Sequence, residues 1–349
     1  MGNQPPIRHN LKYRFSDSGC KANLKPALVL FSGGLDSLLA VKILQSLNFD
    51  TTALIFESAF FRSQRPWATA KQYGIAVRVG DISAAHLEIV KNPRYGYGKN
   101  MNPCIDCHLL MLLEAKKVAA EMNGAVIATG EVLGQRPMSQ NKGSLDLIEK
   151  KSGLVGRILR PLSARLLPPT EYETSGIIDR DTLHGISGRG RKTQFELAKK
   201  FNLHEYATPS GGCILTDPIF SDRLRKLLLK TDRPDNNDIA LIKTGRLFWE
   251  EKSAVIIGRN ESDNNAIRET YIKESDVIME LADFNGPVLL IRNFGDNPSS
   301  ESRHKELARI LAWYYPRVRQ EKEVRIKVKN KEKEVVYSVE PTAPTSRYA

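Results

Sequence analysis

The chain has 349 residues, of which 41% are hydrophobic and 26% charged; that globular mix excludes a disordered, collagen-like or coiled-coil protein over most of the length. At roughly 150 residues per domain, the length suggests two domains or one large domain with appendages. Its 52 Lys and Arg exceed 40 Asp and Glu, a formal net charge of +12 that would attract a polyanion, with plain surface solubility as the alternative.

Residues 1–26 are polar and read as an arm leading into the first strand. Ala27-Leu28-Val29-Leu30-Phe31 is a continuous apolar run of the kind buried on both faces of a parallel sheet. After the turn Ser32-Gly33-Gly34, the residues Leu35, Leu38, Leu39, Val41, Leu44 and Leu47 recur at helical spacing. Thr52–Phe56 reads as the next strand, 65–73 as a helix and Ile75–Val79 as a third strand. This alternation is the signature of an α/β fold. A loop over 91–103 precedes a helix from about Cys107 to Met122, and Ala125–Gly130 reads as a strand ending at a glycine turn. Residues 132–192 show no regular pattern and carry many arginines, and Thr193–Phe201 reads as a helix with Thr193 as its cap. Past Asp217-Pro218 the pattern changes. Strands at Ala254–Ile257 and Val288–Ile291, a helix at Ser300–Trp313 and an alternating hairpin through Val324, Ile326, Val328, Val335, Tyr337 and Val339 predict a smaller α+β domain, ending in a frayed tail over 341–349.

No apolar run approaches the ~18 residues of a membrane span, and residues 1–26 lack a signal peptide's apolar core, so neither membrane anchor nor export is expected. Four cysteines are too few for a stapling framework, and the spacing Cys104-Ile105-Asp106-Cys107 suits metal or redox chemistry in a reducing, cytoplasmic compartment.

Ser32-Gly33-Gly34-Leu35-Asp36-Ser37 sits between a buried strand and a helix. Glycines there let the backbone wrap an anion, the Ser32 and Ser37 hydroxyls can donate to phosphate oxygens, and the helix N-terminus adds positive potential. Asp36 suits such a site once Mg2+ accompanies the phosphates. The competing Gly185-Ile-Ser-Gly-Arg-Gly190-Arg-Lys192-Thr193 has one residue too many for a Walker loop and no strand ahead of it. It reads as a basic loop in which Arg189, Arg191 and Lys192 either meet RNA phosphates or are simply solvated. Thiolates at Cys104 and Cys107, at a helix start whose dipole should lower their pKa, can share a metal or cluster with the distant Cys213. Three cysteines could hold three irons of a 4Fe-4S cluster and leave the fourth open. A zinc site completed by His108 and a catalytic cysteine pair without metal are the alternatives. Cys20 reads as a bystander.

At these residues the chain resembles the PP-loop ATP pyrophosphatases, which cleave ATP between the α and β phosphates to adenylate a carbonyl oxygen. The resemblance implies that Ser32, Gly33, Gly34, Asp36 and Ser37 hold the pyrophosphate portion of ATP, with Phe56 near the adenine and Gly130 also at the nucleotide. Asn102-Pro103-Cys104-x-x-Cys107 looks like the nucleophile segment of the tRNA 2-thiouridylases. Thr129-Gly130-Glu131-Val132-Leu133-Gly134-Gln135 with Leu159-Arg160-Pro161-Leu162 is similar to the tRNA 4-thiouridine synthetases. Both are RNA sulfurtransferases, and the overlap covers about residues 27–215. It implies a PP-loop domain over 27–215 and ATP-dependent tRNA uridine thiolation, 4-thiouridine ahead of 2-thiouridine. Asp36, Cys107 and Cys213 would be catalytic. ATP, Mg2+ and a 4Fe-4S cluster on Cys104, Cys107 and Cys213 would be the cofactors. Sulfur would come from an external persulfide carrier or sulfide. The 4-thiouridine enzymes carry an RNA-binding region ahead of the loop, where this chain has 26 residues; tRNA capture is therefore expected from residues 216–349, where Arg325, Lys327, Lys329, Lys331 and Lys333 cluster, although Glu321, Glu323, Glu332 and Glu334 dilute that patch and a merely solvated edge is the alternative. A PP-loop enzyme acting on a small molecule, or a non-catalytic metal- and RNA-binding protein, are the rival readings.

Overall fold

A computed structural model of the chain describes residues 13–16, 24–206, 213–295, 300–331 and 333–345. The Cys20 reading and the last four residues of the expected tail lie outside them; residues 341–345 form neither helix nor strand. The chain divides into two compact units, Met1–Thr216 and Asp217–Ala349.

The first unit is a mixed α/β layer structure. Its strands are β1 (Tyr13–Ser16), β2 (Lys25–Leu30), β3 (Phe49–Glu57), β4 (Ala76–Asp81), β5 (Val126–Thr129) and β6 (Ile158–Leu159), ordered β1-β4-β3-β2-β5-β6. The last five are parallel and β1 pairs antiparallel to the edge of β4, so the predicted arm contributes a strand. Its helices are α1 (Leu35–Ser46), α2 (Gln64–Gln72), α3 (Ser83–Lys91), α4 (Cys104–Glu121), α5 (Lys142–Ser152), α6 (Glu171–Thr174) and α7 (Lys192–Lys200).

Successive strand residues face opposite sides, and both sides are buried. Ala27, Val29, Ala53 and Ile55 pack in one cluster with Leu38, Leu39 and Ile43 of α1 and with Leu197 and Ala198 of α7. Leu28, Leu54, Phe56 and Ile127 pack in another with Leu112, Ala115 and Val118 of α4 and Ile148 of α5. Helices therefore cover both faces.

Three expectations change here. The stretch 132–192 contains α5 and β6; α4 begins at Cys104, three residues early; and α7 is preceded by Arg191 as its N-cap, with no side-chain cap from Thr193. The strand order reverses at β2: the chain runs outward through β3 and β4, then returns to add β5 on the other side. Open parallel sheets bind ligands at such a switch point, outside the carboxyl ends of the strands.

The second unit holds α8 (Pro218–Lys230), α9 (Asn236–Leu241), β7 (Arg246–Glu250), β8 (Ser253–Ile257), α10 (Glu261–Asn265), β9 (Val277–Leu281), β10 (Leu289–Asn293), α11 (Glu301–Trp313), β11 (Val324–Lys329) and β12 (Glu334–Val339). All its strand pairs are antiparallel, in the order β12-β11-β9-β10-β8-β7. Leu307, Ile310 and Leu311 of α11 cover one face, against Val255, Met279, Leu289 and Ile326. On the other face, Arg292 is buried at 2% exposure, with Nε 3.0 Å from Asp276 and Nη1 2.9 Å from Asp238. No helix among the described residues is long and apolar enough to cross a membrane.

Candidate functional site

At the carboxyl ends of β2, β3 and β5 lies a cavity of about 480 Å³. Ser32, Gly34, Asp36, Ser37, Phe56, Gly130 and Cys213 line it, so the structure brings most of the sequence-predicted nucleotide residues together with one of the three cysteines. Such a volume falls within the range of ordinary small-ligand sites.

The loop after β2 is held in shape from within. Gly34 N donates to Ser32 Oγ at 3.4 Å, Ser37 Oγ donates to the Gly34 carbonyl at 2.9 Å, and the two serine hydroxyls stand 3.3 Å apart. Gly33 adopts a left-handed φ of +74°, and a Cβ there would meet Pro66 Cα at 2.7 Å. Gly130 is required for a different reason: its Cβ would fall 2.5 Å from the backbone of Asp36 and Ser37. The end of β5 is thus pressed against the first turn of α1. No side chain caps α1, and the first amides of a helix so left are able to take an anion.

Asp36 Oδ2 accepts from Gln135 Nε2 at 2.8 Å and from Arg191 Nη2 at 2.9 Å. Its Oδ1 is buried with no hydrogen-bond partner among the described residues, as is Arg191 Nε. Arg191 therefore turns into the cavity and onto a carboxylate 155 positions earlier. Arg189 and Lys192 of the same loop do not line the cavity. Arg62, Arg65 and Arg136 do line it; the sequence marks Arg136 only as one of the many arginines of 132–192 and gives no signal for Arg62 or Arg65.

Beside the loop, Glu131 is buried and its carboxylate is fully engaged. Oε2 accepts from Arg160 Nε at 2.9 Å and from Thr129 Oγ1 at 3.0 Å, and Oε1 lies 3.0 Å from His108 Nδ1. Burial alone would raise its pKa, but the Arg160 charge, with the His108 contact, holds it at about 2. Arg160, 3% exposed, also contacts Glu149. Glu131 and Arg160 belong to motifs visible in the sequence, but their pairing is not.

Cys104 and Cys107 occupy the first turn of α4, and Asp106 between them accepts the backbone N–H groups of Arg94 and Tyr95 at 3.2 and 3.0 Å, fixing the preceding loop. The expected lowering of the thiol pKa values is overturned. Burial pushes both up, and at Cys107 the neighbouring Cys213, Cys104 and Asp106 push in the same direction. Cys107 is thus within electrostatic reach of both Cys104 and Cys213, and the Arg136 charge acts on Cys104 against the effect of burial. Among the described residues no three His, Cys, Asp or Glu converge as a single metal ion would require, and His108 turns to Glu131. Cluster ligands sit on different irons and are spread wider.

In the second unit the predicted hairpin is β11–β12, with Val324, Ile326 and Val328 buried. Its cations are largely paired: Arg325 with Asp283 at 2.8 Å, Lys327 with Glu334 at 3.6 Å and Lys331 with Glu274 at 2.6 Å. The expected basic face is therefore mostly neutralised.

Residues 245–347 match the family described as NFACT protein RNA binding domain. No curated protein matches the chain by sequence. Similar solved structures include a predicted subunit of tRNA methyltransferase from Methanocaldococcus jannaschii, at 20% identity and TM-score 0.33, covering 51% of this chain and 76% of that one. Another is the C-terminal part of the fibronectin/fibrinogen-binding protein from Streptococcus suis, at 11% identity and TM-score 0.25, covering 74% and 91%.

Proposed function

We propose that this chain is an ATP-dependent tRNA sulfurtransferase that adenylates a uridine carbonyl oxygen and replaces that oxygen with sulfur, 4-thiouridine being the favoured product. The observation that supports the reading most is a phosphate-type loop whose Asp36 keeps an unpartnered buried oxygen, in a cavity that Cys213, Arg62, Arg65 and Arg136 also line. The match of residues 245–347 to an RNA-binding domain supports RNA over a small molecule as substrate.

In this reading Ser32, Ser37 and the first amides of α1 hold the ATP phosphates, and Phe56 lies beside the adenine. Mg2+, held by Asp36 Oδ1, would neutralise charge on the phosphates. The uridine oxygen forms a bond to the α-phosphorus as the bond to pyrophosphate breaks, and the base N–H proton leaves to solvent. Hydrosulfide then attacks the activated carbon and AMP departs with the original oxygen; where a carrier persulfide delivers the sulfur, the disulfide it first forms with the base is cleaved by a second thiol, which ends as a disulfide with the carrier. Leu30, Leu54, Phe61, Met111 and Leu112 wall the cavity and exclude the water that would hydrolyse the adenylate. The donor set of Cys104, Cys107 and Cys213 fits a 4Fe-4S cluster, which would supply an iron with an open position for sulfur.

Anaerobic preparation should give a brown protein with about four irons per chain, and Cys104→Ser, Cys107→Ser and Cys213→Ser should each lose iron and thiolated product. Stoichiometric zinc, or full thiolation without metal, would rule out the cluster.

A further inference from the structure

One lip of the cavity is made by Phe61, Arg62, Arg65 and Pro66. This lip rests on the phosphate loop itself, because Pro66 fills the space a Gly33 side chain would need. Arg62 and Arg65 are exposed, and neither makes an ion pair with any described residue. Helix α2 begins within the lip, carries no acidic residue and buries only Thr69 and Ala70. Its outer surface presents Trp67, 40% exposed, with Lys71 Nζ 5.5 Å from the ring centre one turn on. Two guanidinium groups with no ion pair among the described residues therefore line the cavity, and an exposed indole with a cation near its ring follows directly after the lining Pro66. One exposed ring is too little apolar area for a membrane surface. The combination suits RNA, whose phosphates pair with arginine and whose unstacked bases lie on aromatic faces.

We propose that Phe61–Lys71 is the RNA-docking lip of the first unit: Arg62 and Arg65 hold two phosphates, and Trp67 stacks a nucleotide beside the one delivered to the loop. The proposal rests on the reading of the substrate as RNA. Chemistry on a base requires that base to leave its stack, and a ring directly after the lining Pro66 gives its neighbour a surface to stack on. The Gly33–Pro66 contact sets the docked strand in register with the phosphate site.

The test measures binding of an unmodified tRNA transcript to the full chain over a series of salt concentrations. Arg62→Ala/Arg65→Ala should weaken binding roughly tenfold and lower the salt slope by about one per arginine. Trp67→Ala should weaken it roughly tenfold with the slope unchanged, and Trp67→Phe should recover most of the loss. ATP affinity of Trp67→Ala should match wild type. Unchanged tRNA affinity in all the variants, with wild type binding tightly, would overturn the lip and leave the RNA reading standing. Loss of ATP affinity with tRNA affinity kept in the arginine pair would overturn it too, assigning those arginines to the nucleotide. A wild-type chain that binds no tRNA would overturn both the lip and the RNA reading.

Discussion

Asp36→Asn should lower pyrophosphate release from ATP by roughly 10²–10³-fold, the scale on which single electrostatic contacts to a reacting centre are lost. The change keeps the size of the side chain and an oxygen able to accept from Gln135 Nε2 or Arg191 Nη2, so the loop should keep its shape. What it removes is the charge behind the unpartnered Oδ1, which in the proposed reaction holds Mg2+ against the phosphates. Iron content should be unaffected, because Asp36 has no hydrogen bond to Cys104, Cys107 or Cys213 and its partners are Gln135 and Arg191. Pyrophosphate release within threefold of wild type would withdraw Asp36 from the nucleotide site.

Arg160→Met should destabilise the first unit by about 3–5 kcal/mol, measured by urea unfolding at pH 7. Arg160 is 3% exposed and is the shared partner of Glu131 and Glu149, so the substitution leaves the buried Glu131 and the half-buried Glu149 without that cation. The pH dependence gives a second readout. Glu131 in the folded chain titrates at about 2, below its ordinary 4.5, so the unfolded chain binds more protons in that interval. Its contribution to stability is complete above pH 4.5 and is lost as pH falls toward 2. Without Arg160, burial dominates and raises that carboxyl, so the acid-dependent loss should shrink or reverse. A variant as stable as wild type at pH 7, with the same acid profile, would show that the Glu131 network contributes little.

The sequence carried some of this architecture openly. The run Ala27–Phe31 followed by Ser32-Gly33-Gly34-Leu35-Asp36-Ser37 marks β2, its loop and α1, because a doubly buried strand and a glycine turn leave local signals. Helix α5 was missed because only Leu145 and Ile148 mark its apolar face, and β1 because a short polar edge strand has almost no pattern. Helix α8 had a signal that was misread. Asp217-Pro218 reads in the sequence only as the point where the pattern changes, yet Asp217 is an N-cap accepting from Phe220 N at 2.7 Å, and Pro218 opens the helix.

The candidate site divides the same way. Contiguous motif residues were legible, whereas partners brought together by the fold were not. Arg191 was visible as a charge in a basic loop, but that it reaches Asp36 depends on the path of residues 132–192, which have no simple periodicity. At Cys104 and Cys107 the sequence places a helix, though it starts at Cys104 and not near Cys107, and the expected lowering of the thiols fails because burial, which a sequence does not display, raises both. In the hairpin the alternation of aliphatic and basic residues is real, but the acids that neutralise Arg325 and Lys331, Asp283 and Glu274, come from distant positions.

The central claim is that a uridine in tRNA gains sulfur through this chain, and nucleoside mass spectrometry of bulk tRNA tests it most directly. Cells lacking the gene should lack one thiolated uridine, 4-thiouridine on this account. Wild type should restore it and Cys107→Ser should not. A thiolated-nucleoside profile identical with and without the gene would contradict the claim and point to a substrate other than tRNA.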